Sequence, residues 1–265
     1  MTIQLKITQI DTFTDRVFGG NPAAVVPLDA WLPDAHMQLI AAENNLAETA
    51  FFVPEPGGYK LRWFTPACEV PLCGHATLAS AFVIFSEIAP RAEAVEFHTR
   101  HSGTLTVMRR GDLLQMDFPR HALTAVDAPP ALLEGLGAAP CEVYFAAANP
   151  NYYAVYDTEA DVRALTPDFD ALLPLGALGV CVTAPGMSCD FVSRYFAPGF
   201  GIPEDPVTGS THCALAPYWA GRLGKTDLFA RQLSKRGGEI FCTVGETRVL
   251  IAGQAVKYLS GEIFI

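Results

Sequence analysis

Polar and apolar residues alternate from the first positions of the chain, with Ile3, Leu5 and Ile7 apolar and Gln4, Lys6 and Thr8 polar, a period of two that predicts a strand over 3–13. The turn chemistry of Phe18-Gly19-Gly20-Asn21-Pro22 separates it from a second apolar strand at 23–26. Pro33-Asp34 then opens a helix in which Met37, Ile40 and Ala41 recur with a period near 3.6. Residues 44–49 end that helix and hand over to a strand at 50–53, and Gly57-Gly58 turns the chain into a returning strand at 59–64. From Gly74 the pattern changes: 77–85 is small or apolar on every side, the mark of a buried helix. Strands at 95–99, 103–109 and 113–118 complete this first set.

The stretch 119–140, with Ala128-Pro129-Pro130 and a short helical 132–136, reads as a passage. Beyond it the order recurs: strands at 143–147 and 152–156, a helix near 168–173, strands at 179–183 and 190–196, an apolar helical run from Cys213 to Trp219, and strands at 229–233, 240–244, 247–251 and 254–259. Individual residues repeat as well. Arg62-Trp63-Phe64-Thr65-Pro66 is answered by Arg194-Tyr195-Phe196-Ala197-Pro198, an offset of 194 − 62 = 132. Leu32-Pro33-Asp34 is answered by Thr166-Pro167-Asp168, and Asn21-Pro22 by Asn149-Pro150. An offset near half the length predicts two lobes of like internal order, 1–118 and 119–254, with a last strand at 255–265 free to return to the first. Many strands with one very apolar helix per half predict an α+β fold in which sheet wraps a buried helix; without βαβ alternation a doubly wound sheet is not expected.

Composition narrows the partners. The 265 residues carry 28 Asp and Glu against 18 Lys and Arg, a net charge of −10, which argues against nucleic acid. An anionic substrate therefore needs local attraction, from helix N-termini and from residues such as Arg62 and Arg194. Half the residues are hydrophobic, ample for real cores. Seven cysteines without a CxxC pair fit a reducing compartment rather than a disulfide framework. The start lacks the apolar core of a signal peptide, and no run approaches the ~20 apolar residues of a membrane span, so no membrane partner and a cytoplasmic location are expected.

Candidate chemistry gathers in two stretches. Pro203-Glu204-Asp205-Pro206-Val207-Thr208-Gly209-Ser210-Thr211-His212 places a braced, small-residue turn before a helix, and Pro71-Leu72-Cys73-Gly74-His75-Ala76 does the same in the first half. Backbone N–H groups of a helix's first turn converge on one point and favour negative charge there, so each turn is suited to hold a carboxylate. Glu48 lies between Leu46-Ala47 and Thr49-Ala50-Phe51-Phe52, an apolar setting expected to raise its pKa into the range where a carboxyl both accepts and returns a proton.

The order Gly19-Gly20-Asn21-Pro22-Ala23, Asn45-Leu46-Ala47-Glu48-Thr49, Cys73-Gly74-His75-Ala76-Thr77 and Glu204-Asp205-Pro206-Val207-Thr208-Gly209-Ser210 resembles the PhzF family of phenazine-biosynthesis-like proteins across nearly the whole chain. The resemblance implies a diaminopimelate epimerase-like fold of two pseudo-symmetric lobes, each with a sheet round a central helix and the active site in the cleft between them. It further implies a cytoplasmic homodimeric isomerase that moves a proton on a small anionic carboxylic acid with no cofactor and no metal. Residue by residue it implies Glu48, His75 and Asp205 as catalytic groups. Asn21, Gly74, Ala76, Gly209, Ser210 and His212 are the implied substrate contacts.

Duller roles exist for the same residues. Glu48 suits a solvated helix end, Asp205 and Ser210 suit helix caps, His75 suits a position bonded to a backbone carbonyl, and His212 suits a packed helix residue. Cys73 stands where racemase relatives of the fold keep the first of two cysteines, but Pro206-Val207-Thr208-Gly209 offers no second thiol. A one-thiol epimerase or racemase and a non-enzymatic binding protein on the same fold are the alternatives. Alternate residues in a tight turn seldom face each other, so a Cys73–His75 dyad is not expected, and Cys73, His75, His212 and Cys213 lack recognisable zinc spacing.

Overall fold

A computed structural model describes residues 2–176 and 178–265. The chain forms two compact units, one running to Asp117 and taking back Ala252–Ile265, the other spanning Phe118–Ile251. No helix among the described residues is long and apolar enough to cross a membrane.

Unit 1 begins with β1 (Gln4–Thr12), β2 (Asn21–Pro27), α1 (Asp34–Asn44), β3 (Glu48–Glu55), β4 (Gly58–Phe64), β5 (Glu69–Val70) and α2 (Gly74–Val83). It continues through β6 (Ala94–Thr99) and β7 (Thr104–Arg110) to β8 (Leu113–Pro119), and the C-terminal strand Ala255–Phe264 pairs antiparallel with β1. β2 and β3 run parallel, as do β4 and β6, whereas β1–β2, β3–β4, β4–β5 and β6–β7 are antiparallel. Side chains alternate across these strands. Ala24, Val26, Phe51, Val53 and Phe64 pack on Met37, Ile40 and Ala41 of α1. The other face, with Ala23, Val25, Glu48, Ala50 and Trp63, receives α2. Ala76, Ala79 and Ala81 of α2 are fully buried, which lets its backbone approach the sheet closely.

The start of β3 is fixed by how α1 ends. Asn45 takes the left-handed conformation at φ 48°, a role asparagine fills more readily than most residues, and its N–H bonds Ala41 O. Asn44 Nδ2 donates to Thr49 Oγ1 at 3.1 Å, so the chain reverses within a few residues and enters β3 at Glu48.

Unit 2 comprises β9 (Thr124–Ala125), α3 (Pro130–Leu136), β10 (Glu142–Ala146), β11 (Asn151–Val155), α4 (Glu159–Ala164), α5 (Phe169–Leu172), β12 (Gly179–Pro185), β13 (Phe191–Ala197), β14 (Ile202–Glu204), α6 (His212–Leu223), β15 (Asp227–Gln232), β16 (Gly238–Val244) and most of β17 (Arg248–Gly253). The strand relations of unit 1 recur in order. β11–β12 and β13–β15 are parallel, and β10–β11, β12–β13, β13–β14 and β15–β16 antiparallel. Ala23 lies opposite Glu48 and Ala50 opposite Trp63; in unit 2, Asn151 lies opposite Gly179 and Cys181 opposite Tyr195. The ladder therefore equates Trp63 with Tyr195 and Asn21 with Asn149, as the sequence repeat predicts, and also Glu48 with Gly179.

Two expectations change. Unit 2 has a helix the hydrophobic pattern did not reveal, α4, whose Thr158 and Asp161 form a reciprocal capping box. The repeated arginines are occupied within their own units. Arg62, 3 % exposed, grips Glu69 through Nε and Nη2, both at 2.7 Å, bonds Asp34 through Nη1 at 2.8 Å and lies over Phe64. Arg194 grips Glu204 at 2.8 and 3.1 Å, donates to the carbonyls of Val162 and Leu165, and lies over Phe196. Bidentate pairs of this kind hold β4 to β5 and β13 to β14, so the recurring Arg-aromatic-Phe motif is a structural clamp rather than the substrate attractor expected from the charge balance.

Pro217 sits inside α6, where it has no N–H for the carbonyl four residues earlier. The amide of His121 fills the gap, donating to Cys213 O at 2.9 Å.

Candidate active site

In unit 1, Glu48 at the head of β3 faces the first turn of α2, and three polar side chains meet there. His75 Nε2 lies 3.1 Å from Glu48 Oε2, and His75 Nδ1 lies 3.4 Å from Cys73 Sγ. His75 and Cys73 are buried, and the Glu48 side chain is 14 % exposed. Both Glu48 Oε2 and His75 Nε2 are cut off from water, and their close approach lies off the line of a good hydrogen bond. Cys73 precedes α2 in extended conformation, which folds its sulfur back over the helix start beside His75. The expectation that these two alternate residues would not face each other is thereby overturned.

The charge state also differs from expectation. Burial pushes the Glu48 carboxyl up, but the charge of His75 and the close polar contacts with His75 and Cys73 outweigh it, leaving the group below its ordinary value rather than above it. Burial disfavours the charged ring of His75, yet Cys73 and Glu48 together hold its pKa well above the usual imidazole value. Burial, then the charge of Glu48, push the Cys73 thiol up. The resting cluster is a carboxylate–imidazolium pair, partly buried at Glu48 and buried at His75, beside a thiol.

In unit 2 the corresponding turn is a pinned loop. Thr208 Oγ1 donates to Asp205 Oδ2 at 2.5 Å, Thr208 N to Gln232 Oε1 at 2.9 Å, Gln232 Nε2 to Asp205 O at 2.9 Å, and Ser234 Oγ to Pro206 O at 2.7 Å. Gly209–Thr211 forms one 3-10 turn leading into α6. Neither Asp205 nor Ser210 is the helix cap; Thr208 precedes the 3-10 turn and Thr211 precedes α6. His212 is fully buried, its Nδ1 3.0 Å from Thr208 O, and burial lowers its pKa to about 4, so the ring is neutral near pH 7. Its counterpart Thr77 makes the matching contact, Oγ1 to Cys73 O at 2.6 Å.

The structure thus brings Glu48, His75 and Cys73 together in unit 1 and gathers Asp205, Thr208, Gly209 and Ser210 on one loop in unit 2. Asn21 is buried at the start of β2, on the face that carries Ala23 and Glu48, with its carbonyl accepting from Thr12 Oγ1 at 2.9 Å. Gly74 and Ala76 lie in the first turn of α2. Sequence reasoning missed Gln232, which braces the loop from β15; nothing local marks it, because the contact spans 24 residues. Among the described residues, Glu48, Cys73 and His75 are the one trio of His, Cys, Asp or Glu whose donor atoms all lie within 4.8 Å of one another.

The family model for phenazine biosynthesis-like proteins, PhzC–PhzF, matches residues 10–261. The chain belongs to the PhzF family. A relative from Pseudomonas aeruginosa named as an uncharacterized isomerase is 51% identical over 263 residues, covering 99% of this chain and 100% of the relative. The crystal structure of a PhzF-family protein from Enterococcus faecalis superposes with a TM-score of 0.95 at 45% identity, covering 99% of this chain and 100% of that one. A hydroxyproline epimerase from Agrobacterium vitis, at 10% identity and a TM-score of 0.61, shares the fold over 98% of this chain and 91% of its own. This PhzF chain therefore has the diaminopimelate epimerase-like fold.

Proposed function

We propose that this PhzF-family chain is an isomerase that moves a proton on a small carboxylic acid without a cofactor. The observation that carries the reading is the partly buried Glu48 carboxylate, its Oε2 shielded from water and 3.1 Å from His75 Nε2. Held ionised, Glu48 is ready to take a proton from carbon, while the electron pair left behind spreads into the substrate's conjugated acid. Once protonated, Glu48 no longer sustains the charge on His75, so the ring becomes a stronger acid at the moment a proton must go back to the substrate. The two groups thus couple removal to return, a division of labour that a lone carboxyl of raised pKa would lack.

Asn21, Gly74 and Ala76 in unit 1 are assigned to substrate binding, as are Asp205, Gly209, Ser210 and His212 in unit 2. The first-turn amides at Gly74 and at Gly209 each suit negative charge, and Asp205 suits an orienting role. A homodimer in the cytoplasm completes the reading.

Replacing Glu48→Gln tests it. Against a panel of unsaturated and 2-amino carboxylic acids in D2O, the wild type incorporates deuterium and the variant does not, with thermal unfolding showing that the variant is folded. Undiminished exchange would remove Glu48 from this role. The contact of Cys73 Sγ with His75 Nδ1 favours one second reading, a thiol-dependent epimerase. Cys73→Ser would then abolish exchange as completely as Glu48→Gln, whereas the carboxylate mechanism predicts a partial loss.

A further inference from the structure

The contact between Cys73 and His75 has the dimensions of a metal-binding edge. A tetrahedral zinc ion bound by a thiolate at ~2.3 Å and an imidazole nitrogen at ~2.05 Å holds those atoms about 3.5 Å apart. Here Sγ and Nδ1 are 3.4 Å apart. The opposite nitrogen, Nε2, lies 3.1 Å from the Glu48 carboxylate, the partner that metal-bound histidines commonly use to fix ring orientation. His75 is buried, with Glu48 beside Nε2 and Cys73 beside Nδ1, so the ring is held in place with its Nδ1 edge turned to the sulfur.

We infer that Cys73 and His75, oriented by Glu48, form a site for one thiophilic divalent cation of the zinc class, and that its occupation switches the enzyme off. Thiolate with imidazole selects zinc-like ions over magnesium or calcium, which prefer oxygen. Binding releases the thiol proton and any proton on Nδ1 to solvent, the sulfur and nitrogen each donating a lone pair to the ion. Remaining coordination positions go to water. The ion then occupies one side of the ring whose proton serves the isomerase, so inhibition rests on the functional reading above while binding does not.

The test uses full-length protein with the exposed Cys68 and Cys141 replaced by serine, to remove competing thiols. Anaerobic titration with Co2+ should give a thiolate-to-cobalt charge-transfer band saturating at one equivalent and bleached by Zn2+. Cys73→Ser should remove the band. Glu48→Gln should keep it but weaken binding roughly ten- to a hundredfold, the cost of losing an outer-shell partner. Should Cys73→Ser not fold, His75→Asn serves, with loss of tetrahedral cobalt absorption expected. No band, or a band that survives Cys73→Ser, overturns the site. One equivalent of Zn2+ should stop deuterium exchange and a chelator restore it; exchange that persists at full occupancy overturns the switch. A protein that binds cobalt as described yet catalyses no exchange when metal-free refutes the isomerase reading and leaves the site standing.

Discussion

Unit 1 carries Glu48 at a ladder position where unit 2 carries Gly179, and the surroundings show why each suits its place. A Cβ added to Gly179 would fall 1.9 Å from Tyr195 Oη and 2.4 Å from Asn151 Oδ1. Tyr195 donates to that amide oxygen at 2.8 Å and Gly179 N donates to it at 3.1 Å, so a hydrogen-bonded plug fills the space. In unit 1 the residue opposite Glu48 is Ala23, small enough to leave room for a carboxylate. At the helix starts, Cys73, Gly74 and His75 correspond to Thr208, Gly209 and Ser210. Two halves with the same strand order and the same arginine clamp thus differ in where they place titratable groups: unit 1 buries a charged pair, while unit 2 holds one carboxylate on a braced loop.

Breaking the pair should have the largest effect. His75→Leu leaves Glu48 buried without its partner and should cost about 3–5 kcal/mol in urea unfolding at pH 7, whereas the matching Ser210→Leu in half-buried surroundings should cost far less. Next, Gly179→Ala forces apart the Tyr195–Asn151 plug, an overpacking expected to cost about 2–3 kcal/mol with deuterium exchange per folded molecule little changed. Arg62→Met and Arg194→Met should each destabilise by about 2 kcal/mol without raising KM, because both side chains hold their own unit together; a large rise in KM with stability intact would return them to the substrate.

The smallest effect is in the pH profile. Glu48, depressed in the folded state, contributes stability above its unfolded pKa of about 4.3 and loses it as pH falls through the lower folded value. His75, raised in the folded state, contributes fully below about 6.5 and loses it as pH rises through the higher folded value. The stability difference between wild type and Glu48→Gln should therefore be greatest between about pH 4.3 and 6.5. A difference that is flat with pH would deny the pair its charge.

Strand positions and the two buried helices were legible because alternation and all-round apolarity are local. So was the repeat, since Arg62 and Arg194 each brace a like pair of strands. The shortest strands, β5 and β14, and the helix α4 were less so: α4 has six residues, too few for a period to show. Glu48, His75 and Asp205 could be named from motifs, yet the sign of the Glu48 pKa could not. Its apolar neighbours in sequence argue for a raised value, and the cation that reverses this comes from 27 residues away in the chain, brought there by α2 packing on β3. Likewise, the arginines looked available to a substrate until Glu69 and Glu204 were seen to occupy them.

The central claim, that Glu48 and His75 form a charged pair at rest, is tested most directly by nitrogen NMR of 15N-histidine-labelled protein, with the His75 signal assigned by its loss in His75→Asn. In the wild type, both ring nitrogens of His75 should report a protonated imidazolium at pH 7.5, reverting to a neutral ring in Glu48→Gln. A His75 that is neutral in the wild type at that pH, or one whose charge survives the loss of the carboxylate, would contradict the account.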